Sequence, residues 1–277
     1  MNTRLSFALA LVSAALLSAG SAQARSPCDV GRLVEGPVQV GFSQGDFGIV
    51  RSACPRSELG LGIGGRAIID GDNFYGNLRG GTRLDVGILA SAGLMLSASI
   101  EPFVFHQVIQ SFKATHLGLG ESSVGATLLA VARERFALSV TTRLTLPTAI
   151  GLHVNSWPIG VEAGVLALLQ PIDQLRLHGG LLGGLRTAVS KAAVPASGAV
   201  IGNAGVDVVI NDEWLVFVVD VNGQALERGG LDLLAVSCAA RTVLFDQVGL
   251  EVGASIPIAG DERHLASAIV RASYRFE

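Results

Sequence analysis

Leu265-Ala-Ser-Ala-Ile-Val-Arg-Ala-Ser-Tyr-Arg-Phe276 is the stretch on which the reading of the chain turns. Side chains alternate across an extended strand, so a period of two sorts this segment into two faces. One face carries Ala266, Ala268, Val270, Ala272, Tyr274 and Phe276; the other carries Leu265, Ser267, Ile269, Arg271, Ser273 and Arg275. A soluble sandwich would bury the first face in a core. A membrane barrel turns it to lipid and turns the arginines to a wet lumen.

Composition separates these readings. The chain has 277 residues, of which 49% are hydrophobic and 16% charged, against roughly 25% charged in ordinary soluble domains. Mean hydropathy is +0.51. Such a chain calls for membrane helices or for burial of most of its length. Beyond the N-terminus, no run approaches the roughly 18 apolar residues of a spanning helix. The densest, Trp214-Leu-Val-Phe-Val-Val219, stops at Asp220. Segments that are apolar on one face only resolve the conflict. A net charge of −3 without a basic stripe argues against nucleic acid as a partner.

Residues 1–24 read as an export signal: Arg4, an apolar run from Leu5 to Ala19, then the small-residue box Ser21-Ala-Gln-Ala24. Export allows disulfides. Cys28 and Cys54 flank one segment ahead of the first clear strand and are candidates for a bridge, which leaves Cys238 on a strand as a small apolar residue. No Cys–His spacing resembles a metal site, and no cofactor is expected. Residues 25–57, with Pro27, Pro37 and Pro55, read as an N-terminal segment lying on the periplasmic side or inside a barrel.

From residue 58 to 277 one pattern repeats: strand-length segments of period two, separated by turn residues. Strands are expected at 59–69, 77–89, 94–105, 118–131, 136–146, 159–169, 175–187, 199–210, 214–226, 231–244, 248–258 and 265–276. Residues 107–116 and 147–157 read as longer loops, and Pro171-Ile-Asp173 as a short turn. Pro102 falls late in its strand, where a rim or bulge would tolerate it. The polar faces carry Arg79, Arg83 and Asp85, then Glu101, Glu121, Arg143 and Glu162. Arg176, His178 and Arg186 share one strand face; Asp207, Asp220, Glu251, Arg271 and Arg275 follow on later strands. Arg241 falls on the wrong face unless a bulge shifts the register. About twelve strands, an even number, suit an antiparallel up-and-down transmembrane β-barrel. Short turns alternate with longer loops, which puts both ends of the barrel in the periplasm.

Two stretches resemble known barrels. Tyr274-Arg275-Phe276 resembles the aromatic C-terminal signature of outer-membrane proteins, with Glu277 added after it. Leu117-Gly-Leu-Gly-Glu-Ser-Ser-Val-Gly-Ala126, followed by Arg143-Leu-Thr-Leu-Pro-Thr148, resembles the G-x-G-D … L-P-T-G run of the outer-membrane proteins of the MetA pathway of phenol degradation. Glu121 stands where that run has Asp, and Ala149 where it has Gly. The resemblance implies a barrel and the passage of small apolar or aromatic compounds. It carries over no catalytic residue.

The inward charges admit two readings, a polar pore lining that tunes passage or a lumen plugged by cations and anions pairing across strands. The expected function is a passive channel or uptake protein of the bacterial outer membrane. Its expected partners are outer-membrane lipid, the barrel-assembly machinery through the last strand, and a small-molecule cargo. The alternatives are a structural or adhesive barrel without transport, a secreted soluble β-protein, and a barrel phospholipase. His153-Val-Asn-Ser156 holds the residue types of a lipase but lacks strand alternation. No enzyme is expected.

Overall fold

The computed structural model describes Cys28 and residues 53–70, 75–108, 115–148, 150, 156–190, 197–210, 215–226, 230–245, 247–260 and 264–276. The export-signal reading of residues 1–24, His153 and Asn155 lie outside these residues.

Period-two alternation gives strands in succession. They are β1 (Glu58–Asp70), β2 (Tyr75–Ser91), β3 (Leu94–Val108), β4 (Thr115–Gly118), β5 (Ser122–Arg133), β6 (Phe136–Leu146) and β7 (Ser156–Ile172). There follow β8 (Leu175–Ser190), β9 (Ser197–Ile210), β10 (Leu215–Leu226), β11 (Leu231–Leu244), β12 (Val248–Ala259) and β13 (His264–Arg275). Every pairing is antiparallel, and β1 pairs with both β2 and β13, so the sheet closes on itself. β3 pairs with β4 at Val104↔Gly118 and with β5 at Ile100↔Ser122. β4 and β5 are therefore two halves of one wall position, and the ring has twelve. Closure pairs the strands of the ring on both sides, except that β4 has a ladder with β3 alone.

The last strand behaves as its pattern predicts. Ala266, Ala268, Val270, Ala272, Tyr274 and Phe276 are exposed on the outside, whereas Ser267, Ile269, Arg271 and Ser273 are buried in the interior. β12 repeats this, with Leu250, Val252 and Ile256 outside and Glu251 and Ser255 inside. The whole molecule is thus inverted relative to a soluble sandwich: aliphatic side chains cover its exterior, and most of its buried charge lines the interior.

Four departures from the sequence pattern have local causes. The expected continuous strand at 118–131 is broken at residues 119–121, between β4 and β5. There Gly120 N donates to Glu101 O at 2.8 Å, and the Glu101 side chain packs where a Gly120 Cβ would stand. The expected loop at 107–116 is shorter, because pairing runs on to Gln107↔Thr115. Pro171 and Ile172 belong to β7, and the turn is Asp173–Gln174; likewise Ser156 and Trp157 begin β7 rather than ending a loop. Arg241 does face inward beyond a register shift, which lies near the start of β11: Leu231 is exposed, whereas Ala235 and Arg241, of the same parity, are buried. β11 sends Ala235, Ser237, Ala239, Arg241 and Val243 inward with one parity, and its register shift lies upstream at Leu234/Ala235. Small inner residues had hidden the alternation. Pro102 does sit at a bulge: Thr82 pairs with Phe103 but Leu84 with Ile100, so Glu101 and Val104 point inward while Pro102 and Phe103 are both exposed.

At one rim lie the start of β1, the end of β13 and connections of two to four residues; at the other the connections run from four to nine.

Candidate functional site

The interior is the candidate site. Its side chains form rows across neighbouring strands, fixed by register. One row runs Val216, Arg241, Glu251, Arg271 over β10 to β13. Arg241 Nε lies 2.5 Å from Glu251 Oε2, and both side chains are all but inaccessible. Arg271 turns the other way and places Nη2 2.5 Å from Glu58 Oε1 on β1. It lies over Gly60, whose Cβ, had it one, would stand 2.7 Å from that nitrogen. Glu58 also accepts from Arg56 Nε at 2.8 Å.

A second group is centred on His178 of β8. Nδ1 is 3.2 Å from Asp207 on β9, and Nε2 is 2.5 Å from Asp220 on β10. The ring spans two strands because Gly205, between them in register, has no side chain; a Cβ there would collide with both His178 and Asp220. Arg176, fully buried, stands in register with Asp207.

A third group lies toward the rim with the longer connections. Arg143 pairs with Glu162 at 3.0 Å, and Arg186 of β8 reaches Glu121 at 2.5 Å. The Arg186–Glu121 pair spans β6 and β7. Arg83 and Asp85 pair along β2 at 2.9 Å. Glu101 Oε2 accepts the Glu121 N–H at 3.2 Å. Here the two halves of the sequence run quoted above meet: Thr148 Oγ1 donates to Gly120 O at 3.3 Å and lies 3.0 Å from Ser122 Oγ. Leu119 and Ile150 add a β-bridge. The run is a structural clasp at the broken wall position.

The expected lining residues divide accordingly. Arg83, Asp85, Glu101, Glu162, Arg176, Asp207, Asp220, Glu251 and Arg271 are buried inside; Glu121, Arg143, Arg186 and Arg275 are partly buried. Of Arg79 only the backbone is described, in register with Arg66 and His106. The sequence reading missed Glu58, Arg66 and Arg241 as lining groups, and it gave His178 no role there. Arg66 shares parity with Gly60, Gly62 and Gly64, and that glycine-filled face is what concealed it.

The interior also holds part of the chain's own N-terminal segment. Cys28 and Cys54 are joined by a disulfide. Ala53 and Cys54 pack on an aliphatic patch of the inner wall made by Ala137, Leu166, Leu168, Leu182, Ala199 and Ile201, with Cys28 against it. Ser139 Oγ donates to the Ala53 carbonyl. The chain then leaves through Ser57, whose Oγ accepts from Leu89 N at 3.1 Å and whose carbonyl accepts from Phe276 N.

A closed wall, apolar outside and polar within, defines a β-barrel of the outer-membrane type. Among solved structures the chain is similar to the COG4313 outer membrane channel from Pseudomonas putida F1, at 11% identity and TM-score 0.62, over 85% of this chain and all of that one. It is similar to the NanC porin at 10% identity and TM-score 0.52, over 79% of this chain and 99% of that one. The translocator domain of the autotransporter NalP from Neisseria meningitidis matches at 15% identity and TM-score 0.52, over 80% and 88% of the two chains. At these identities the likeness establishes the fold. No protein-family model and no curated protein matches the chain.

Proposed function

We propose that the protein is a bacterial outer-membrane channel for the passive passage of small molecules. The observation that carries this reading is the inversion of the barrel: exposed aliphatic residues such as Ile63, Val252 and Val270 suit a lipid surround, while buried charge lines the inside. The partners in this reading are the lipid around the wall and the barrel-assembly machinery that reads the last strand. The cargo class in this reading, small apolar or aromatic compounds, is the one that the resemblance of the Leu117–Ala126 and Arg143–Thr148 runs implies. The COG4313 protein and NanC, described as a channel and a porin, support the reading.

The burial of Ala53 and Cys54 on that patch favours a second reading, a filled barrel that does not conduct. Planar-bilayer conductance and liposome swelling with small neutral sugars separate the two. Discrete conductance steps and swelling above protein-free liposomes are expected. Silence in both assays, with a correctly folded barrel by gel mobility, would leave the structural reading in place of the channel.

A further inference from the structure

We propose that one row of four basic positions across β1 to β4 forms a binding strip for small dicarboxylates at the mouth of the barrel. The proposal rests on the channel reading and adds anionic groups to its cargo class. Register sets Arg66 of β1 opposite Arg79 of β2, Arg79 opposite His106 of β3, and His106 opposite His116 of β4. Arg66 is buried in the interior, so by register the row belongs to the inner face. His106 lies two residues before the end of β3, and His116 is the second residue of β4. The row therefore runs to the rim with the longer connections, on a different part of the wall from the patch that Ala53 and Cys54 cover on β6 to β9.

The row departs from the rest of the interior. Elsewhere register sets acid beside base: Glu251 stands between Arg241 and Arg271, Glu162 opposite Arg143, and Asp207 opposite Arg176. Here the flanking inner rows are Gly64, Gly81, Val104 and Gly118 on one side and Ile68, Asn77 and Val108 on the other, with no acid among them. Asp70, Asp85 and Glu101, the acids nearest the row on β1 to β3, are at least four residues along their strands. Like charges directly opposite one another weaken a sheet, and Arg66 and Arg79 are such a pair. An anion laid along the row removes that repulsion. Opposed positions in an antiparallel pair stand about 5 Å apart, so a solute with two carboxylates at about that separation meets two positions at once, and a monoanion meets one. The histidine pair alone would suit a metal cation, but Arg79 in the same row repels one. The inner face excludes a lipid phosphate and leaves solutes that enter the lumen.

The test uses the full-length protein in detergent at low salt and about pH 5.5, where imidazole takes up a proton. Isophthalate is the probe, with benzoate as its monoanion and isophthalamide as its neutral counterpart, each read by saturation-transfer NMR. Isophthalate is expected to bind the wild type, with binding about fivefold weaker for benzoate and for Arg79→Gln, the weight of one ion pair in contact with water. Arg79→Lys, which keeps the charge, should recover most of the loss. His116→Gln repeats the comparison if the Arg79→Gln variant folds poorly. Equal isophthalate binding by wild type and variant, or none by either, overturns the strip. Isophthalamide binding as tight as that of isophthalate does so too. Liposome swelling is read in parallel on the same preparations. Binding without swelling keeps the strip and removes the channel; swelling without Arg79-dependent binding does the reverse.

Discussion

Arg271 Nη2 and Glu58 Oε1, 213 residues apart in sequence, meet at 2.5 Å and tie the last strand of the ring to the first. Each side chain is 10% exposed, so the pair is shielded and breaking it strands a charge. Removing one partner of a buried pair costs about 3–5 kcal/mol, whereas replacing both with apolar groups is often neutral. Glu58→Gln should therefore lower the urea midpoint of the folded barrel, followed by the heat-modifiable gel shift. The double change Glu58→Leu with Arg271→Met should recover most of the loss. No recovery would show that the pair's charge itself holds the seam.

Gly205 makes room for the contact between His178 and Asp220. Gly205→Ala should destabilise the barrel by about 1–3 kcal/mol, as overpacking does. Gly183, where an added Cβ meets nothing within 4 Å, is the control, and Gly183→Ala should stay within about 0.5 kcal/mol. Thermal midpoints of the two variants check this; equal effects would contradict the arrangement.

The Cys28–Cys54 bond closes a loop whose base lies on the inner wall. The double serine variant should lose about 2–4 kcal/mol of stability. If the segment narrows the lumen, unit conductance should also rise. An unchanged conductance with the thiols confirmed absent would mean that the segment stays in place without its tether.

Arg186 and Glu121 bridge two intervening strands of the inner wall. Arg186→Ala leaves Glu121 without that cation and should shift selectivity toward cations. Glu121→Gln should shift it toward anions. Reversal potentials across a salt gradient give the sign directly, and shifts in the same direction for both variants would refute the assignment.

Ile63 is 59% exposed near the middle of β1. Arginine at such a lipid-facing position costs about 2–4 kcal/mol at the bilayer midplane. Ile63→Arg should reduce membrane-assembled barrel in urea-washed outer-membrane fractions, while Ile63→Leu should not.

Much of the wall was legible in the sequence because each strand alternates on its own. Phe136–Leu146 begins and ends where its pattern does. Alternation failed where one face lost its contrast. β11 puts alanine and serine beside Arg241, and β1 puts three glycines ahead of Arg66. Strand ends also ran past the pattern, as at Ile172, because pairing satisfies backbone groups beyond the reach of side-chain periodicity. Which inner charges meet was not legible. Glu121 finds Arg186 through the stagger of four strands, and no spacing along the chain encodes that.

Ser57 and Glu58 serve two masters. They give the final hydrogen bond and ion pair to the far end of the chain, and they also receive the polypeptide as it emerges from the interior. Zipping the cylinder shut and seating its contents thus draw on one pair of adjacent residues. The seam of the ring and the exit of the N-terminal segment therefore share one anchor, and a change at either residue reaches both.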